Sequence, residues 1–120
     1  MSLLATILIL LIAALHAYIL WFEMFAWETR GPKIFRQFSA DMFPKTKVMA
    51  ANQGLYNGFL AAGLLWSRLI SDPIWAQNTA LFFLACVLIA GVYGAATASK
   101  RILYVQALPA AIAILVVLLS

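Results

Sequence analysis

Residues 3–22 read LLATILILLIAALHAYILWF, an apolar run broken only by His16. A bilayer core about 30 Å thick takes about 20 mostly apolar helical residues, so this stretch alone is long enough to cross one. It has neither a basic segment before it nor a small-residue cleavage motif after it, which separates it from a secretory leader. Working outward, the apolar run extends from about Leu3 to Trp27, and three more follow, from about Val48 to Trp66, Ile74 to Ala98 and Ile102 to Leu119. None alternates with the period of a strand, and helices satisfy their own backbone groups, as hydrocarbon demands.

The whole chain agrees with this reading. Of 120 residues, 66% are hydrophobic and 10% charged, where soluble domains average roughly 45–50% and about 25%. Mean hydropathy is +1.00. A water-soluble chain of this size has too little interior to hide that much apolar surface, and a disordered chain is excluded by the same figures. The expected fold class is all-α: an integral membrane four-helix bundle, one domain over residues 1–120, with short connections. No nucleic-acid partner is expected. The net charge is +4, but the cations have a better explanation in their positions.

The longest connection, residues 28–46, reads ETRGPKIFRQFSADMFPKT. Gly31-Pro32 and Pro44 punctuate it. Between them Ile34, Phe35, Phe38 and Met42 recur at roughly helical spacing, which predicts a short amphipathic helix lying in the membrane interface. The second connection centres on Ser71-Asp72-Pro73, with Pro73 placed to open a helix. The third is little more than Ser99-Lys100-Arg101. Arg30, Lys33, Arg36, Lys45 and Lys47 belong to the first connection and Lys100 and Arg101 to the third, so only Arg68 sits by the second. The positive-inside rule makes the first and third connections cytoplasmic and turns both termini outward, in a cell inner membrane. Membrane lipids, some of them anionic, are the partners this charge implies. Trp21, Trp27, Trp66 and Trp75 fall near span ends and read as interfacial anchors. Cys86 reads as a small packing residue.

Polar groups inside the spans carry whatever function is legible. His16 and Glu23 are seven residues apart, hence on nearly the same face of the first helix and roughly 10 Å apart along it. The second span holds Asn52, Gln53, Tyr56 and Asn57, a stripe of i, i+4 pairs. Gly54, Gly58 and Ala62 form a small-residue row on a different face, suited to close helix approach. At 1.5 Å per residue Glu23 and Asn52 are both roughly 6–8 Å from the cytoplasmic ends, and His16 and Asn57 both roughly 15 Å. Short connections favour antiparallel neighbours. The expected contacts are therefore Glu23 with Asn52 and Gln53, and His16 with Tyr56 or Asn57. Gln106 on the fourth span and Tyr93 on the third share the shallow level. The candidate ligand-binding set is His16, Glu23, Asn52, Gln53, Tyr56, Asn57 and Gln106, a polar pocket in the cytoplasmic half. One His and one Glu are too few for a closed zinc site, and no metal or cofactor is expected.

His16 and Glu23, the cluster Ala51-Asn52-Gln53-Gly54-Leu55-Tyr56-Asn57-Gly58-Phe59, Gly91 to Gly94 and Gln106 to Pro109 together resemble the small bacterial membrane proteins grouped as domain-of-unknown-function 1304. The resemblance covers nearly the whole chain. It implies a four-helix inner-membrane protein and no established activity. Lys47, Asn52, Asn57, Arg101 and Tyr104 are loosely similar to features of the membrane-associated eicosanoid and glutathione metabolism proteins, an architecture that implies a trimer. The acidic and additional basic residues of that group's second helix are absent here, so the likeness does not carry glutathione with it. Small multidrug-resistance transporters share the length and a membrane Glu, but not the seven-to-one charge bias.

Three functions compete. The first is binding or transport of a small polar or amphipathic molecule, with Glu23 supplying charge, His16 titrating near neutral pH, and the amides and Tyr56 orienting the ligand. No internal repeat is visible, so transport would require a homo-oligomer, a dimer or trimer. The second is a membrane enzyme on a lipophilic substrate with His16, Glu23 and Tyr56 as acid/base groups, although no activated nucleophile is evident. The third is a structural or accessory role in which the polar groups specify helix packing.

Overall fold

Ser2 opens the first helix: its hydroxyl accepts from the Ala5 N–H at 3.1 Å, satisfying one of the N–H groups that a helix start leaves without partners. In the computed structural model, which describes residues 1–120, that helix (α1) runs Leu3–Phe25 and is followed by α2 Trp27–Ile34, α3 Met42–Lys45, α4 Lys47–Leu69, α5 Pro73–Thr97, a π-helical stretch Leu103–Ala107 and α6 Leu108–Leu119. The chain is all-helical, without strands. Two helices, α1 and α5, are long and apolar enough to cross a membrane. The π-helical stretch and α6 together give an apolar run of 17 residues, Leu103–Leu119. α4 is as long as α1 at 23 residues, but its amides lower its hydropathy.

α5 starts as expected. Asp72 accepts from the N–H groups of Ile74 at 2.9 Å and Trp75 at 3.1 Å, and Pro73, which has no N–H to satisfy, takes the first helical position. The first connection differs from expectation. Its helices are α2, which includes Gly31 and Pro32, and the single turn α3, while residues 35–41 are turns and bends. The cause is a ring cluster. Trp27 packs against Phe22, Phe35 and Phe43 at centroid distances of 5.8, 5.8 and 5.2 Å. Drawing Phe35 inward ends α2, whose last carbonyls accept from the Phe35 N–H at Gly31 (2.8 Å). Gly31 is buried because the Phe43 ring lies where a Cβ would sit, 2.6 Å away. The apolar spacing of this segment is satisfied by Phe43 and Phe35 turning inward, while Ile34, Phe38 and Met42 stay exposed.

The chain forms two compact units, Ala14–Ala61 and Met1–Ala13 with Ala62–Ser120. In the second unit α5 packs on the π-helical stretch and α6. The buried face of α5 is Ala76, Ala80, Leu84, Val87 and Gly91, and that of α6 is Ala110, Ala113 and Val117. These follow the three-and-four spacing of one helix face. At Gly91 a Cβ would stand 2.6 Å from the Ala107 backbone nitrogen, so the small residue sets how closely the two backbones approach. The π-helical widening has its cause in Pro109. A proline cannot donate to the carbonyl four residues back and its ring crowds that carbonyl, and opening the preceding turn relieves both. The structure thus shows a change of helix type over the turn before Pro109. Arg68 turns back along this unit, donating to Thr6 Oγ1 at 3.1 Å.

Candidate functional site

The Ala14–Ala61 unit holds six of the seven residues that the sequence singles out. Within it α1 and α4 run antiparallel. Gly58 lies against Leu20, Gly54 against Leu20, Glu23 and Met24, Thr46 against Trp27 and Lys47 against Glu28, so partner numbers fall as α4 numbers rise. A Cβ on Gly54 would stand 3.0 Å from the Leu20 carbonyl oxygen, a backbone atom that cannot step aside. These two glycines let the helices come together.

Across that seam the Asn57 amide nitrogen donates to Glu23 Oε1 at 2.9 Å. The same nitrogen donates to the Gln53 carbonyl at 3.0 Å. Both amide hydrogens are thereby engaged and the orientation of the side chain is fixed. Glu23 and Asn57 are both partly buried. One carboxyl oxygen is held by a neutral donor, an arrangement suited to a ligand that brings a cation or a hydrogen-bond donor.

The partner of Glu23 is thus Asn57, one helical turn beyond the expected Asn52 and Gln53. Matching Cα levels ignores the tilt of helical side chains toward their own N-terminus. On α1 that tilt carries Glu23 toward the higher numbers of α4, and on α4 it carries Asn57 back to meet it. The expected separation of a packing face from a polar face is also corrected. Asn57 is three residues from Gly54, only about 60° around the helix, and therefore borders the seam. Asn52 and Tyr56 are two residues from Gly54, about 200° around, and are exposed, as is Gln53. Tyr56 packs edge-on against Phe59 at 5.8 Å. Ala62, expected in the glycine row, is exposed.

His16 is fully buried, one of two polar side chains enclosed to this degree; the other is Ser67, which donates to the Leu64 carbonyl at 2.6 Å. Gln106 belongs to the other unit, in the π-helical stretch, and is partly buried. Tyr93 is 71% exposed.

Sequence reasoning passed over the polar contacts at the end of the seam. Lys47 pairs with Glu28 at 3.1 Å. Trp27, expected as an interfacial anchor, donates its indole N–H to Thr46 Oγ1 at 2.9 Å, and Thr46 in turn donates to the Met42 carbonyl at 2.7 Å. The available signal was the pairing of opposite charges just outside two adjacent helix ends.

A family model described as protein of unknown function (DUF1304) matches residues 10–118. The chain belongs to that family. Residues His16, Glu23, Asn52, Gln53, Tyr56, Asn57 and Gln106 all fall inside the matched span. The chain is also similar to the uncharacterized protein YpaA of Lactococcus lactis subsp. lactis, 28% identical over 108 residues, which are 88% of this chain and 89% of that protein. No solved structure matches. Membership agrees with the resemblance read from the AANQGLYNGF segment.

Proposed function

We propose that this DUF1304 protein is a four-span membrane protein, its 28–46 connection cytoplasmic and both termini outward, that binds a small polar or amphipathic molecule through the Glu23–Asn57 pair. The distribution of side chains supports the membrane part. Buried positions are rich in Ala and Gly, and Leu, Ile and Phe side chains crowd the exposed surface, among them Leu3, Leu11, Leu69, Phe82, Ile89 and Leu119. That suits a chain whose exterior meets lipid and whose helices associate through small residues. The polar α4 and the run of 17 residues ending at Leu119 serve as the remaining spans, the latter at the short end of what a bilayer takes.

The hydrogen bond from Asn57 to Glu23 at 2.9 Å carries the binding part. An ionisable residue in a span is costly and is ordinarily turned toward a functional interior. Held by an amide, this carboxylate favours a ligand with an ammonium or other donor and an apolar body. Moving such a ligand across the bilayer would further require a dimer or trimer, since the chain has no internal repeat.

Thermal unfolding of the detergent-solubilised protein with and without a decylammonium salt tests the reading. The expected result is stabilisation of the native chain that is lost in Glu23→Gln and weakened in Asn57→Leu. Equal stabilisation of all three would overturn the site and leave the polar seam a packing device.

A further inference from the structure

A groove separate from the Glu23–Asn57 pair lies at the end of the seam. We propose that the groove formed by Met24, Phe25, Trp27, Glu28, Thr29 and Lys47 binds one zwitterionic phospholipid whose headgroup carries a primary ammonium, a phosphoethanolamine lipid. The groove encloses about 310 Å³. Met24, Phe25 and Trp27 supply apolar surface, and Phe25 is 71% exposed although it ends a helix this apolar. Glu28 and Lys47 stand together 3.1 Å apart with side chains 41% and 64% exposed.

The charge arrangement selects the headgroup. An ion pair this open to water contributes little to stability, so each member can exchange its partner at small cost. The lipid phosphate takes the Lys47 ammonium, and the lipid ammonium takes the Glu28 carboxylate. Two opposite charges on the protein meet two opposite charges on the ligand, and neither is left alone. An anionic lipid without an ammonium would strand Glu28 beside its own negative charge. A quaternary choline headgroup has no N–H to donate to the carboxylate. The other polar groups are committed elsewhere: the Thr29 hydroxyl donates to the Ala26 carbonyl at 3.4 Å and the Trp27 indole to Thr46 at 2.9 Å. Selection therefore falls to the charge pair, while the acyl chains follow the apolar wall.

The site is distinct from the Glu23–Asn57 pair and shares only the premise of residence in a bilayer. Native mass spectrometry after exchange into equal parts phosphatidylethanolamine, phosphatidylglycerol and phosphatidylcholine reads it directly. The native protein should retain phosphatidylethanolamine several-fold over the other two. Lys47→Gln should lose that preference. Glu28→Gln should shift it toward phosphatidylglycerol, because Lys47 then stands as an unopposed cation; a merely structural role for Glu28 would lower all three adducts together. Glu23→Gln should leave the preference unchanged, which keeps failure here separate from failure of the seam site. Equal retention of the three lipids by the native chain, or native preference in Glu28→Gln, overturns the proposal. Recovery of the chain in the water-soluble fraction of cells would remove the shared premise.

Discussion

The two compact units solve the packing of helices with different chemistry. In Met1–Ala13 with Ala62–Ser120, α5 and α6 bury alanines and Gly91 beside Leu84, Val87 and Val117, and at Gly91 a Cβ would meet the Ala107 backbone. In Ala14–Ala61 a glycine seam also brings helices together, but a carboxylate–amide bond crosses it and a cluster of aromatic rings closes one end. The contrast teaches that small residues set backbone approach in both units, and that polar groups placed beside such a seam add a requirement of orientation.

The largest test of that contrast is Phe43→Ala. Phe43 is 1% exposed and anchors the ring cluster, so truncation should cost about 3–5 kcal/mol. Hydrogen exchange should show the loss concentrated in residues 14–61; uniform loss over the chain would erase the distinction between the units. Gly91→Ala follows. Its Cβ would meet backbone atoms of Ala107 at 2.6 and 2.8 Å, which cannot yield as a side chain does, and about 1–3 kcal/mol of destabilisation is expected. Gly94→Ala, whose Cβ would meet only the Ile102 side chain at 3.2 Å, should cost clearly less. Equal costs would show that backbone contact is not what distinguishes Gly91.

A double-mutant cycle on Glu23→Leu and Asn57→Leu, read by thermal unfolding in detergent, should return a coupling near the average of about 0.6 kcal/mol for hydrogen bonds between membrane helices and no more than about 1.7 kcal/mol. A value of zero would reduce the seam to its glycines and make the two units alike. The smallest effect is at Asp41, where hydrogen bonding from the Ser39 side chain, and then from Lys45, holds the carboxyl below the usual carboxylate range. A depressed folded value means that its contribution is present above the ordinary Asp pKa of about 3.9 and fades as pH falls through the lower folded value. A pH titration of hydrogen exchange in Met42–Lys45 should therefore show loosening only in strong acid, and Asp41→Asn should abolish that dependence.

Much of the helix pattern is legible along the chain. The apolar runs predict α1, α4, α5 and the Leu103–Leu119 stretch to within a few residues, and Pro73 marks the start of α5. The C-terminal end of α1 and the first connection are read less well, because Phe35 and Phe43 have the same apolar character as Ile34 and Phe38, and only three-dimensional packing separates rings that turn inward from those that do not. At the candidate site, Glu23 and Asn57 are both recognisable as polar residues out of place in apolar runs, but their pairing depends on side-chain tilt, which a count of helix levels omits.

Helical periodicity, apolar length and the placement of cations are properties of successive residues, and they determined the all-helical class and the expected orientation before any contact was known. Which amide meets the carboxylate, which glycine admits a neighbouring backbone and where a proline converts a turn to π geometry were decided in three dimensions. The reason is physical: these outcomes depend on distances of a few tenths of an ångström between atoms far apart in sequence, and a linear pattern fixes the facing of a residue without fixing what stands opposite.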